Sequence, residues 1–116
     1  MIGSTRQVAV LAYAAPTDLR KGFDGLYALV RESLHRDPLS GDLYLFVNKP
    51  RTRAKVLYWD GTGLCVFAKR LEKGCFARLW DGSGEAAHLT MTELRLFLEG
   101  STLIGKMRLS PEALAL

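Results

Sequence analysis

Between Lys49 and Lys73 the chain carries seven basic residues, Lys49, Arg51, Arg53, Lys55, Lys69, Arg70 and Lys73, against two acids, Asp60 and Glu72. The remainder holds nine basic and ten acidic residues, so this one segment carries the whole positive excess of the protein. Guanidinium and ammonium groups at such density suit the neutralisation of nucleic-acid phosphates. The competing reading is a solvated cationic edge that keeps an exposed strand from pairing with other chains. The Arg51-Thr52-Arg53 tip is denser in charge than edge protection requires, and we read the seven residues as a phosphate-contacting set. Tyr58, Trp59 and Phe67 lie among them and could stack on bases, but aromatic residues in mid-strand are more often core.

Two further cations, Arg20 and Lys21, fall in the first turn of an expected helix, where positive charge opposes the helix dipole. An anion bound there would reverse that penalty and make the pair a secondary anion contact. Asp18, two residues before Arg20, favours a local ion pair instead.

Catalytic chemistry finds no support. Asp18, Asp24, Asp42, Asp60, Glu72, Asp81 and Glu85 supply carboxylates, but none is spaced as a metal-binding or acid–base pair. No glycine-rich phosphate loop with a lysine and no G-x-S-x-G motif is present. Cys65, Cys75, His35 and His88 lack the close ligand pairs of a zinc site, so no metal and no cofactor is expected. The thiols are expected to stay free, with Cys65 facing a residue near Leu79 rather than Cys75.

The basic residues need a scaffold, and the segment reads as an antiparallel β-meander. Leu43–Asn48, Lys55–Trp59 and Leu64–Lys69 are runs rich in β-branched and aromatic residues, and Phe76–Trp80 is a weaker fourth. Asp60-Gly61-Thr62-Gly63 joins the second and third as a tight hairpin turn. Alternate connections of a meander share one end of the sheet, so the loops at 49–53 and 70–74 should be neighbours and form one cationic rim. Asp60 goes to the opposite end.

Before the meander, Val8–Tyr13 predicts a further strand, and Asp18–Arg36 predicts an amphipathic helix. Leu19, Phe23, Leu26, Val30 and Leu34 lie on its apolar stripe, with Thr17 or Asp18 as cap. After it, Thr90-Met91-Thr92-Glu93 reads as a capping box that opens a short second helix, with Leu94, Phe97 and Leu98 on one face and Gly100 as its stop. Ser110-Pro111-Glu112 suggests a last helical turn, loosely held.

A chain of 116 residues, 48% hydrophobic and 24% charged, has the composition of a single soluble globular domain rather than a disordered one. Its apolar runs fall short of a membrane span and no leader is recognisable, so a cytoplasmic protein is expected. The sequence pI near 9.3 agrees with a polyanionic partner.

Four stretches, in order and spacing, resemble one family: Pro16-Thr17-Asp18-Leu19-Arg20-Lys21-Gly22-Phe23-Asp24-Gly25-Leu26, Tyr58-Trp59-Asp60-Gly61-Thr62-Gly63, Lys69-Arg70-Leu71-Glu72-Lys73-Gly74 and Leu98-Glu99-Gly100. The resemblance is to the small accessory protein of the insertion sequence 66 family, the product of the element's second open reading frame, often labelled TnpB. It covers about Ala15 to Gly100. Leu64, Val66 and Phe67 to Ala68 stand where bulkier aromatics are common in the family, and the residues after Gly100 lose its usual ending. The resemblance implies a mobile-element protein that supports transposition alongside a separate, larger transposase. The RNA-guided nuclease that shares the label is excluded, since this chain is far too short for such a domain.

The expectation is therefore one α+β domain over residues 1–116, with a core of about 8–100 and looser ends at 1–7 and 101–116. An antiparallel meander packs against the amphipathic helix, with a short second helix near the C-terminus. The expected function is that of a non-catalytic transposition accessory protein that binds DNA through the basic rim. The alternative is an adaptor that docks on the element's transposase without touching DNA.

Overall fold

The computed structural model describes residues 7–80, 82 and 84–100. The expectations for residues 1–6 and 101–116, including the turn at Ser110, lie outside these. The elements follow as β1 (Val10–Ala12), α1 (Phe23–Glu32), β2 (Leu43–Val47), β3 (Arg53–Trp59), β4 (Leu64–Arg70), β5 (Ala87–Leu89) and α2 (Met91–Glu99). The sheet order is β4-β3-β2-β1-β5. The fold is α+β, as expected, on a mixed sheet: β1 runs parallel to β2 and every other pairing is antiparallel.

Strand alternation divides the core between the two faces. Leu11, Tyr44, Phe46 and Leu57 meet Leu26 and Val30 of α1 on one face. Val10, Ala12, Leu45, Val47, Ala54 and Val56 meet Leu94 and Phe97 of α2 on the other, with Phe76 and Ala77. Strand β2 is covered on both sides, which explains its unbroken apolar run Leu43–Val47. The Phe76 and Phe97 rings stack there at a centroid distance of 4.9 Å. Tyr44 is buried to the tip, and its hydroxyl donates to the Asp37 carbonyl at 3.0 Å, which holds the turn after α1.

The hairpin is built as its sequence predicts. Asp60 accepts from the Thr62 amide, the Thr62 hydroxyl and the Gly63 amide at 2.8 to 2.9 Å. These three donors hold its carboxyl down at about 2. The capping box also forms: the Glu93 amide donates to Thr90 Oγ1 at 3.0 Å and the Thr90 amide donates to Glu93 Oε1 at 2.8 Å.

Three expectations need correction. Phe76–Trp80 is not a strand, and the sheet grows at its other edge, through β1 and β5. A strand sends alternate residues to opposite sides, whereas the consecutive Phe76 and Ala77 are both buried here. Cys65 consequently faces Tyr58 across β3 and β4, not a residue near Leu79. Both thiols are free and half-buried.

The first helix is also shorter than the expected Asp18–Arg36. After β1 the chain stays hydrogen-bonded along β2, with the Tyr13 amide donating to the Leu45 carbonyl and the Thr17 amide to the Val47 carbonyl. That commits the chain through Thr17 to an extended path, and the helix opens only after Gly22, with no side-chain cap. Thr17 and Asp18 are therefore not its caps, and Arg20 and Lys21 precede its first turn. Leu19 still reaches the core from this approach, while Phe23, placed on the apolar stripe by its spacing, is half exposed. At the far end His35 turns left-handed, and the Arg36 amide donates back to the Val30 carbonyl.

If Phe76 is an anchor under the sheet, Phe76→Ala should lower unfolding free energy by about 3–5 kcal/mol in urea denaturation. Arg78→Ala, two residues on at an exposed position, should change it by less than about 0.5 kcal/mol. Similar effects at both positions would mean that this stretch is only loosely attached.

Candidate nucleic-acid interface

The loop between β2 and β3 is organised by Asn48. Its side-chain oxygen accepts from the Thr52 and Arg53 amides at 2.9 and 3.0 Å, and its amide nitrogen donates to the Thr52 hydroxyl at 3.3 Å. An asparagine that satisfies the backbone ahead of it is the usual device for holding a tight loop. Sequence reasoning passed over Asn48 because it stood at the end of a strand pattern, although Asn before Lys-Pro is a turn signal.

The second basic loop lies against the first, as the meander predicts. The Leu71 amide donates to the Thr52 carbonyl at 2.8 Å and the Phe76 amide to the Arg51 carbonyl at 2.6 Å. Arg51 returns the contact, donating from its guanidinium to the Phe76 carbonyl at 3.0 Å. It does so from a left-handed backbone, φ 60°. Arg51 is thus half-buried and tied into the scaffold.

The remaining cations separate by strand alternation. Arg53, Lys55 and Arg70 lie on the α1 side of the sheet, and Lys69 on the α2 side. Arg53 and Arg70 stand directly opposite each other across β3 and β4. Like charges in that position cost a few tenths of a kcal/mol to about 1 kcal/mol. Glu72 relieves one of them, accepting from Arg70 Nε at 3.1 Å in an exposed pair. Arg53 is exposed and its side chain has no carboxylate partner among the described residues.

Two adjoining grooves meet at Leu19 and Arg53. The first, about 470 Å³, is bounded by Asp18, Arg20, Asn48 and Lys49, and the second, about 430 Å³, by Lys55, Lys69, Arg70 and Glu72. Their lining residues include six cations and two carboxylates, although the Lys69 side chain belongs to the α2 side of the sheet. Both carboxylates are engaged, since Asp18 holds Arg20 at 2.7 Å. That guanidinium drives the Asp18 carboxyl well below the usual carboxylate range, so the acid stays ionised. Arg20 therefore forms the local ion pair and also lines the groove.

Of the residues expected to contact phosphate, Lys49, Arg53, Lys55 and Arg70 are brought together around this groove, while Lys69 borders it from a strand position that faces the α2 side. Arg51 is tied to Phe76, and Lys73 is exposed on the loop beyond, outside the groove lining. Lys21 also lies outside the lining; its carbonyl accepts from Lys55 Nζ at 3.0 Å, and its side chain lies over Gly25, where a Cβ would meet it at 2.9 Å. Among the described residues no group of three His, Cys, Asp or Glu side chains could hold a metal ion. No helix among them is long and apolar enough to cross a membrane.

The family described as IS66 Orf2 like protein matches residues 8–108. The chain belongs to that family. Its members are accessory proteins of insertion sequences. Two similar proteins come from Sinorhizobium fredii (strain NBRC 101917 / NGR234). Uncharacterized protein y4jC is 37% identical over 102 residues, covering 86% of this chain and 85% of the relative. Uncharacterized protein y4hO is 36% identical over 101 residues, covering 86% of each. No solved structure matches.

The division of labour between Arg51 and Arg53 can be measured. Arg51→Ala removes a charged hydrogen bond to a main-chain carbonyl and should cost about 1.5–3 kcal/mol of stability. Arg53→Ala removes no side-chain hydrogen bond or ion pair among the described residues and relieves a like-charge pair, so its effect should stay within about 0.5 kcal/mol. Equal costs would show that Arg51 does not hold the second loop.

Proposed function

We propose that this insertion-sequence accessory protein binds DNA by seating the phosphate backbone in the groove around Arg53. The observation that carries this reading is the direct opposition of Arg53 and Arg70, with Lys49, Lys55 and Arg20 gathered beside them. Edge protection does not account for it, because Arg53 lies on β3, inside the sheet. An anion between the two guanidiniums converts their repulsion into two charge-assisted contacts, and the planar donors of arginine match phosphate oxygens. The groove is lined chiefly by cations, so the contact positions DNA through its phosphates rather than by selecting sequence. The protein contributes no chemical step; cutting and joining belong to the larger transposase of the element.

Affinity for a duplex should fall with salt at a log–log slope near −0.9 for each phosphate neutralised. Arg53→Ala and Arg70→Ala should each lower the slope by about one and weaken all sequences alike, while Arg95→Ala, exposed on α2, should leave it unchanged. Absence of salt-dependent binding by the intact chain at low ionic strength would overturn the DNA reading. Transposase capture that persists at high salt would then favour the adaptor.

A further inference from the structure

The apolar stripe of α1 extends past the apolar part of the sheet. Leu26 and Val30 are fully buried in the cluster with Tyr44, Phe46 and Leu57, yet Phe23, on the same stripe about one turn earlier, is 50% exposed. The start of the helix lies beside the basic groove, because Lys55, which lines it, donates from Nζ to the Lys21 carbonyl at 3.0 Å. There the α1 side of the sheet offers Lys55 and the exposed Ala68 that faces it, two residues along from Leu57 and Val66. A cation and a methyl group stand where branched apolar side chains cover Leu26, so the Phe23 ring keeps half its surface in solvent.

The other large apolar side chains exposed among the described residues lie elsewhere. Phe67 is on the α2 side of the sheet, Val8 and Met91 border a groove by β1 and β5, and Leu39 follows the far end of α1. Phe23 is thus an isolated ring rather than part of a patch wide enough to dock a protein. Cations dominate its surroundings. Lys55, Arg53 and Arg70 lie along the groove, and the carboxylates of Asp18 and Glu72 are engaged by Arg20 and Arg70. Asp24, next in the chain, is turned about 100° round the helix. A ligand that uses ring and cations together presents a flat apolar face and an anion within one short unit, as a nucleotide does. Inside a duplex each base face is covered by its neighbours, and only the phosphate is offered. An unpaired nucleotide offers both.

We propose that the groove takes single-stranded DNA, with a base stacked on Phe23 and the neighbouring phosphates on Lys55, Arg53 and Arg70. This rests on the DNA-binding reading above and names the form of DNA the groove serves. Stacking is tolerant of sequence, since every base has a π-face, and so agrees with a contact made through phosphates. The aromatic residues that sequence position sets among the cations are not the platform: Tyr58 and Phe67 fall on the α2 side, and Trp59 ends β3 at the hairpin.

Fluorescence anisotropy with three labelled probes of one length, a mixed-sequence single strand, an abasic single strand and a duplex, tests this on the intact chain. The single strand should bind about five- to 150-fold more tightly than the abasic strand, the range for one base stacked on an aromatic ring. Phe23→Ala should remove that advantage and leave the abasic strand and the duplex unchanged, while Phe23→Tyr, which keeps the ring, should restore it. Arg53→Ala should weaken all three probes. Indifference of the single strand to Phe23→Ala overturns the proposal and leaves DNA binding through Arg53 standing; loss of transposase capture in that same variant would then assign the ring to a protein partner. Equal losses on all three probes would make Phe23 a structural residue and also overturn it. Absence of binding to every probe at low salt overturns the DNA reading, and this proposal with it.

Discussion

The clasp between Arg51 and Phe76 is the constraint on which the arrangement of this protein depends. It joins two loops that are 25 residues apart in sequence, through a main-chain bond in one direction and a guanidinium–carbonyl bond in the other. Because the clasp draws the chain inward after β4, Phe76 and Ala77 pass beneath the sheet and complete the core on the α2 side. Among the described residues the outer edge of β4 has no strand beside it, while strand alternation sets Arg53 and Arg70 on the α1 side. One polar contact therefore ties the basic loops beside the groove to the core on the other face. A positive φ at a non-glycine residue normally carries a cost, and the contacts around Arg51 supply what offsets it.

The groove combines repulsion left standing with repulsion locally answered. Arg20 and Arg70 have their own carboxylates, both at exposed positions, where an ion pair is weak and readily exchanged for a phosphate. Arg53 has none. A stable fold has no need of two arginines facing each other across strands, and departures from local consistency of this kind concentrate at functional surfaces. An arginine that faces another arginine and has no carboxylate partner among the described residues thus stands where the two grooves join.

Much of this was legible in the sequence. Asp60-Gly61-Thr62-Gly63 defined the hairpin because local side-chain bonds alone build that turn, and Thr90 with Glu93 defined the start of α2 for the same reason. The neighbouring basic loops followed from the alternation of a meander. What was not legible depended on distant partners. The start of α1 is set by the bond from Thr17 to Val47, so the apolar period that extended back to Asp18 was misleading. The parallel pairing of β1 with β2 is non-local, and β5 is only three residues long, too short for a pattern. The role of Arg51 was hidden because composition counts an arginine as a surface charge whether its guanidinium faces solvent or a carbonyl.

The most direct test of the central claim is to titrate a short DNA duplex into isotopically labelled protein and map the backbone amide shifts. If phosphates seat in the groove, the largest changes fall at Leu19, Arg20, Lys49, Arg53, Lys55 and Arg70, and fade together as salt is raised. Changes concentrated on α2 and β5, with the amides around Arg53 unmoved, would contradict the account.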